Sequence, residues 1–385
     1  MELRAGYKNT EIGVIPNGWE VKKLGEVVEI RKGQLITDST RVNGNIPVIA
    51  GGKTPAYYHN KANRNGKTIT VSGSGASAGY VSFHDYPIFA SDCSTIEESK
   101  DYSIEFMFYL LQLLQEKIYK MQTGGAQPHI HPSDLNPILI PFPKPEEQTA
   151  IATALSDADA LIRSLEKLIE KKRNIKQGAM QQLLKPKKGW DKKRVKEIVQ
   201  TPVTDGPHET PIFYDMGIPF LSVNNLVDKK IDFTDLRFIT MEDHLIYSKK
   251  CKPQRNDILL GKAASVGKVA IVETDLEFNI WSPIAMIRVK SDYSSKYVYY
   301  YLQTKDIVKQ IEFFTNSSSQ GNIGMGDIEK LEIPFPKTLN EQNEIATILS
   351  DMDNEISLLE KKVSKTKSLK QGMMQELLTG KIRLI

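Results

Sequence analysis

From Ile151 onward, apolar side chains recur at Leu155, Ala158, Ile162, Leu165 and Ile169, and a second series runs from Ile345 through Leu349, Met352, Ile356, Leu359 and Val363. Steps alternating between four and three residues define a heptad seam. Pro143 and Pro145 precede the first series, and neither Gly nor Pro interrupts the chain from Glu147 until Gly178. This pattern predicts a helix of roughly 38 residues, about 57 Å at the usual rise per residue. So narrow a stripe needs a partner of similar length. The second series is the natural candidate, and antiparallel pairing within the chain is the expectation, with the preceding segments held at opposite ends about a pseudo-two-fold axis. Parallel pairing, pairing with another chain, or packing of each helix on its own preceding segment would give other geometries. A strict register puts Lys172 and Lys176 in the seam, so the stripe is expected to shift there and resume through Ile175, Met180, Leu183 and Leu184.

The second helix is a copy of the first. Glu147 to Leu184 aligns with Glu341 to Leu378 at an offset of 194, with about 21 of 38 positions identical. EQTAIATALSDAD becomes EQNEIATILSDMD, and KQGAMQQLL becomes KQGMMQELL. Upstream, IPFPK at Ile140 matches IPFPK at Ile333, and PNGWEVKKLGEVVEI at Pro16 parallels PKKGWDKKRVKEIVQ at Pro186, placing Trp19 opposite Trp190. Between these landmarks, GSGASAGYV at Gly73 parallels GKAASVGKV at Gly261, each after a strand-like apolar run, TITVS or DILL. FMFYLLQ at Phe106 parallels YVYYYLQ at Tyr297, then AQPHIHPSDL parallels SQGNIGMGDI. Elsewhere the modules diverge: AGGKTPAYYHN follows IPVI in one, SVNNLVDKKID follows IPFL in the other. The order is therefore variable module, helix, variable module, helix, divided at 1–145, 146–185, 186–336 and 337–385.

Composition narrows the chemistry. The 385 residues carry a net charge of +4, which permits a nucleic-acid partner without requiring one. Cys93 and Cys251 are the only cysteines, too few for a disulfide or metal framework. No signal core or long apolar run stands out, so a cytoplasmic protein is expected. GGKTP at Gly51 and NGKT at Asn65 lack the earlier glycine of a phosphate loop, and HIH at His129 lacks a third ligand. The GxxASxGxV loops could cradle phosphate or simply turn one strand onto the next. Asp157, Asp159, Asp351 and Asp353 read as solvated helix flanks. Gly178 and Gly372 interrupt otherwise good helix, through close helix contact or a docking surface shared with Met180 and Met374. Methyltransferase tetrads, a nuclease constellation and helicase motifs are all missing from the sequence. The chain reads as a reader rather than a catalyst.

EQxxIAxxLSxxD, the heptad helix, KQGxMQxLL and the ending LLTGKIRLI closely resemble the conserved regions of specificity (S) subunits of type I restriction-modification systems, and GYKNTEIGVIPNGWEVKKLGEVV resembles their usual start. The likeness spans the whole chain. It implies an α+β protein: two α/β target recognition domains separated by two long helices in an intramolecular antiparallel coiled coil. The family's subunit is non-catalytic. It binds double-stranded DNA and two methyltransferase (M) subunits, with restriction (R) subunits in the full complex, so that S-adenosylmethionine, ATP and Mg belong to the partners. Each recognition domain would read half of an asymmetric bipartite site, the helices acting as ruler and dock. About 57 Å corresponds to roughly 17 base pairs, one or two helical turns. A subunit serving a fused restriction-methylation enzyme is the alternative.

The seam and docking residues on this reading are Ile151, Leu155, Ile162, Leu165, Gly178, Met180, Ile345, Leu349, Ile356, Leu359, Gly372 and Met374. Polar loop residues between the landmarks are the DNA-contacting candidates. In the first module they are Arg31, Lys32, Lys53, Tyr57, Tyr58, His59, Asn60 and Lys61, with Ser74 and Ser77 on the Gly-rich loop. In the second they are His208, Asn224, Asn225, Lys229 and Lys230, with Lys262, Ser265 and Lys268. The turns TGGAQPH at Thr123 and NSSSQGN at Asn316 could also approach a duplex.

Overall fold

The computed structural model describes residues 5–37, 39–40, 42–316 and 321–384, so most of the NSSSQGN turn lies outside the described residues. The chain divides into two compact units, residues 1–167 with 360–385 and residues 168–359. The division falls within both long helices, Pro145–Leu183 and Leu339–Leu377.

In the first unit a four-stranded antiparallel sheet runs in the order Arg31–Lys32, Cys93–Glu97, Thr68–Ser72, Val81–His84. A three-stranded sheet places Ile46–Ile49 between antiparallel Tyr57–His59 and parallel Phe89–Ala90. Glu20–Lys23, just after Trp19, pairs with Leu139–Phe142, just before the helix, and so closes the module on itself. TITVS is buried at every position, as a central strand covered on both faces must be. The helix Ile104–Leu113 packs Phe106, Met107, Leu110 and Leu111 into the same core.

The second unit repeats the order of these three sheets, while a hairpin of Tyr7–Thr10 with Gly13–Pro16 belongs to the first unit and one of Leu226–Val227 with Lys230–Ile231 to the second. Its four-stranded sheet runs Thr204–Asp205, Ile284–Ile287, Ile258–Gly261, Val269–Ile271. Ile218–Leu221 lies between antiparallel Arg237–Ile239 and parallel Asn279–Ile280, and Asp191–Arg194 pairs with Glu332–Phe335. The repeated EQ dipeptide has a matching duty in both units. Gln148 accepts a hydrogen bond from the Ser103 amide at 3.0 Å and donates to the Pro143 carbonyl at 2.9 Å. Gln342 accepts from the Ser294 amide at 3.0 Å and donates to Pro336 at 3.4 Å. Each buried amide thereby satisfies backbone groups next to a helix start.

Within each unit the two long helices run antiparallel, because rising residue numbers on one meet falling numbers on the other. Asp159 meets Lys370 and Glu166 meets Lys367 in the first unit; Lys172 meets Glu355 and Lys176 meets Asp353 in the second. The seam residues Ile151, Leu155, Ile162, Leu165, Ile345, Leu349 and Ile356 are buried, and Leu359 is half-buried. Ile151 and Leu155 join the core of the first module, together with Leu377 and Leu378 from the far end of the second helix. Met180 and Leu184 join the core of the second module beside Ile345 and Leu349.

Two expectations need correction. The stripe does not step aside at Lys176: the lysine is buried in the seam, and Ile175 is 47% exposed. Asp159 and Asp353 are not solvated flanks. Lys176 Nζ lies 2.5 Å from Asp353 Oδ1 and 5.3 Å from the Tyr300 ring centre, and the Tyr300 hydroxyl donates to Asp353 Oδ2 at 2.9 Å. In the first unit Lys370 reaches both Asp159 oxygens at 2.7 and 2.8 Å, lies 5.0 Å from the Tyr109 ring, and Tyr109 donates to Asp159 at 2.8 Å. A lysine is tolerated in the seam because a carboxylate and an aromatic face meet it there.

Candidate nucleic-acid interface

The strand Tyr57–His59 shows how alternation sorts the first module's candidates. Tyr58 is 54% exposed, whereas the Tyr57 hydroxyl donates to the Ile36 carbonyl at 2.7 Å. His59 points inward, 7% exposed, accepting from the Val42 amide at 3.1 Å and meeting Phe89 edge-on. Lys32, Lys53, Asn60 and Lys61 are exposed, with the Lys53 ammonium 5.3 Å from the Tyr80 ring. Arg31 is exposed but spans Glu29 at 2.6 Å and Glu97 at 3.4 Å. Ser74 donates to Asp92, and with half-buried Ser77 it flanks the tight turn Gly75–Ser77. That turn is bonded to the AQPHIHP segment, since the Gly75 amide donates to Pro128 and Ser74 bridges His129.

In the second module Asn224 is exposed while its neighbour Asn225 is buried, serving the fold. Its side chain accepts from the Ser222 amide at 2.9 Å and donates to the Asp232 and Asp235 carbonyls at 3.2 and 2.9 Å. Lys229 and Lys230 are exposed on the hairpin joining Leu226–Val227 to Lys230–Ile231. Asp228 and Lys229 adopt φ of 47° and 66°, a turn normally given to Asn-Gly. Lys268 is exposed, and Ser265 is half-buried on the Gly-rich loop.

The structure gathers Lys262 and His208, together with Lys250, around one carboxylate that the sequence did not single out. Asp205 has a fully buried side chain. Its Oδ1 lies 2.5 Å from Lys250 Nζ, and its Oδ2 lies 2.9 Å from Lys262 Nζ and 3.3 Å from His208 Nε2. Burial pushes the Asp205 carboxyl up, but the hydrogen bond from Lys250 and the adjacent Lys262 ammonium more than offset this and hold it below the ordinary aspartate value. The edge strand is fixed here by close packing. A Cβ on Gly206 would stand 1.6 Å from the Ile280 carbonyl oxygen, and one on Gly33 in the first module 2.0 Å from that of Ser91.

Along the helices, Met180 is buried in the core of the second module and Met374 is half-buried against that of the first. Gly178 and Gly372 face the other way: a Cβ at either would have open space within 4 Å. Close helix contact therefore does not explain them. Among the described residues no group of His, Cys, Asp or Glu is arranged to hold a metal ion, and the rings of His129 and His131 simply stack 6.1 Å apart. No helix among these residues is long and apolar enough to cross a membrane.

Two modules of matching sheet order with divergent loops, each packed on its own segments of the two long helices, define a duplicated α/β architecture. The chain belongs to the type I restriction modification DNA specificity family, whose domain matches residues 16–175 and 187–367. It is 26% identical to the specificity subunit of the type I restriction enzyme MjaVIII of Methanocaldococcus jannaschii over 405 residues, covering 96% of this chain and 94% of the relative. With the EcoBI specificity subunit of Escherichia coli it shares 22% identity over 320 residues, covering 75% and 66%. In fold it is similar to the crystal structure of the type I S subunit from M. genitalium, with a TM-score of 0.67 at 17% identity and 98% of each chain covered.

Proposed function

We propose that each module reads one half of an asymmetric, bipartite duplex site, and that the paired helices set the separation of the halves. On this reading the helices also dock two adenine methyltransferase subunits, which bind S-adenosylmethionine. Restriction subunits using ATP and Mg complete the nuclease. The observation that carries the reading is the contrast between scaffold and loops. Strand order in the three- and four-stranded sheets repeats between modules, yet the exposed side chains differ: Tyr58, Asn60 and Lys61 in one, Asn224, Lys229 and Lys230 in the other. Two different surfaces on one scaffold suit two different short sequences. Co-purification with an adenine methyltransferase, followed by genome-wide mapping of methylated adenines, should give one interrupted motif. Replacing residues 186–336 with another module should change one half of that motif, and a change in both halves would refute modular reading.

Docking is supported by the face bearing Gln177, Gly178 and Gln181, repeated as Gln371, Gly372 and Gln375, where glutamine side chains can donate and accept across an interface. A glycine in mid-helix costs about 1 kcal/mol relative to alanine, and no contact among the described residues requires it. Gly178→Ala and Gly372→Ala are each expected to stabilise the chain by about 0.5–1 kcal/mol in thermal unfolding. They should also weaken assembly with the methyltransferase, because the added methyls occupy the contact. Stabilised variants that assemble with wild-type affinity would remove this face from consideration.

A further inference from the structure

The edge strands of the two four-stranded sheets end differently on the same scaffold. The first module ends its strand in Lys32 before Gly33; the second ends in Asp205 before Gly206. Likewise Gly73 is followed by Ser74 and Gly261 by Lys262, and the second module alone adds Lys250, just beyond the helix Met241–Ser248. A buried carboxylate needs one good cation; Asp205 has two ammonium groups and an imidazole, drawn from three separate elements. With His208 neutral the cluster carries a net charge of +1. It is open on one side: the side chains of Lys250 and His208 are 48% and 69% exposed, around a carboxylate with no exposure at all.

We propose that Asp205 is a positioning residue that assembles Lys250, Lys262 and His208 into a cationic seat for a backbone phosphate of the DNA bound by the second module. This rests on the functional reading above and adds to it a defined contact. Long lysine side chains lose much rotamer entropy when they meet a phosphate. Tethering both to one buried carboxylate imposes that loss on folding; Lys250, which also donates to the Gly206 carbonyl at 3.0 Å, keeps one N–H for the ligand, and Lys262 has donors beyond its Asp205 contact. Two ammonium groups and an imidazole converging near a point suit the tetrahedral oxygens of a phosphodiester better than the planar edge of a base, which a guanidinium or carboxamide reads in pairs.

The test uses the full chain co-purified with its methyltransferase, titrated across a salt series against a random-sequence duplex and against a duplex carrying the mapped methylation motif. Lys250→Gln and Lys262→Gln should each lower the slope of log K against log salt by about 0.9, which is about fivefold weaker binding at 0.15 M salt, on both duplexes. Asp205→Asn should also weaken binding although it raises the net charge by one, because the lysines lose their tether. Should that variant fail to fold, the two lysine variants decide the matter. Unchanged slopes, tighter binding by Asp205→Asn, or a loss confined to the motif duplex would overturn the proposal, the last by making the cluster a base reader. A wild-type complex that binds neither duplex would sink the functional reading itself; normal wild-type binding with unaffected variants sinks only the cluster.

Discussion

An Asp353→Ala chain should lose about 3 kcal/mol of stability, measured by denaturant unfolding, because it strands the Lys176 ammonium where the side chain is only 10% exposed. The figure sits at the lower end for a broken buried pair, since Asp353 itself is 28% exposed and water can enter the vacated space. Lys176→Met is the informative comparison. It removes the charge that needs compensation and leaves Asp353 partly solvated, still accepting from the Tyr300 hydroxyl at 2.9 Å. Its cost should be about 1 kcal/mol, that of one hydrogen-bonded interaction. Adding Asp353→Ala to Lys176→Met should then cost about 1 kcal/mol more, for the lost Tyr300 hydrogen bond, so the cycle should show about 2 kcal/mol of coupling. Additive effects would mean that the ion pair contributes nothing and that packing against Tyr300 explains the buried lysine.

Trp19 should be the costlier of the two repeated tryptophans. It is 1% exposed, and its indole N–H donates to Glu147 Oε2 at 2.8 Å. Arg383 donates to the same carboxylate oxygen at 2.7 Å. Trp19→Ala is therefore expected to cost about 4 kcal/mol, combining a large cavity with a disturbed buried carboxylate. Trp190 is half-buried, meets Tyr297 edge-on at 6.2 Å and has Lys187 over its ring at 5.6 Å. Trp190→Ala should cost about half as much, as less surface returns to water. Equal losses in thermal unfolding of the two variants would show that partial exposure of Trp190 does not reduce its contribution.

The sequence made the periodic features legible. Heptad spacing at Ile151, Leu155, Ile162 and Leu165 marks a seam because helical geometry fixes which side chains share a face, and the repeat supplies the partner. Lys176 defeated that reading. Its compensation comes from Asp353 on the other helix and Tyr300 on the module, neither of them a neighbour in sequence. A comparison of the two copies held the missing clue, since Lys176, Asp353 and Tyr300 correspond to Lys370, Asp159 and Tyr109. Loop candidates were harder to sort. His59 and Asn225 are buried by strand alternation and by a local turn, which polarity alone does not reveal. Asp205 gave no signal, because a single aspartate acquires meaning only when a strand end, a helix end and a Gly-rich loop converge on it.

The unit that holds the first module also needs residues 360–385, whereas the other is built wholly from 168–359. During synthesis the second unit therefore has all its parts once residue 359 has emerged, while the first, begun earlier, still waits for Leu377, Leu378 and Arg383 to cover its core and neutralise Glu147. A nascent chain stopped short of those residues would display an unfinished apolar face on its oldest part, the surface that a chaperone or protease recognises.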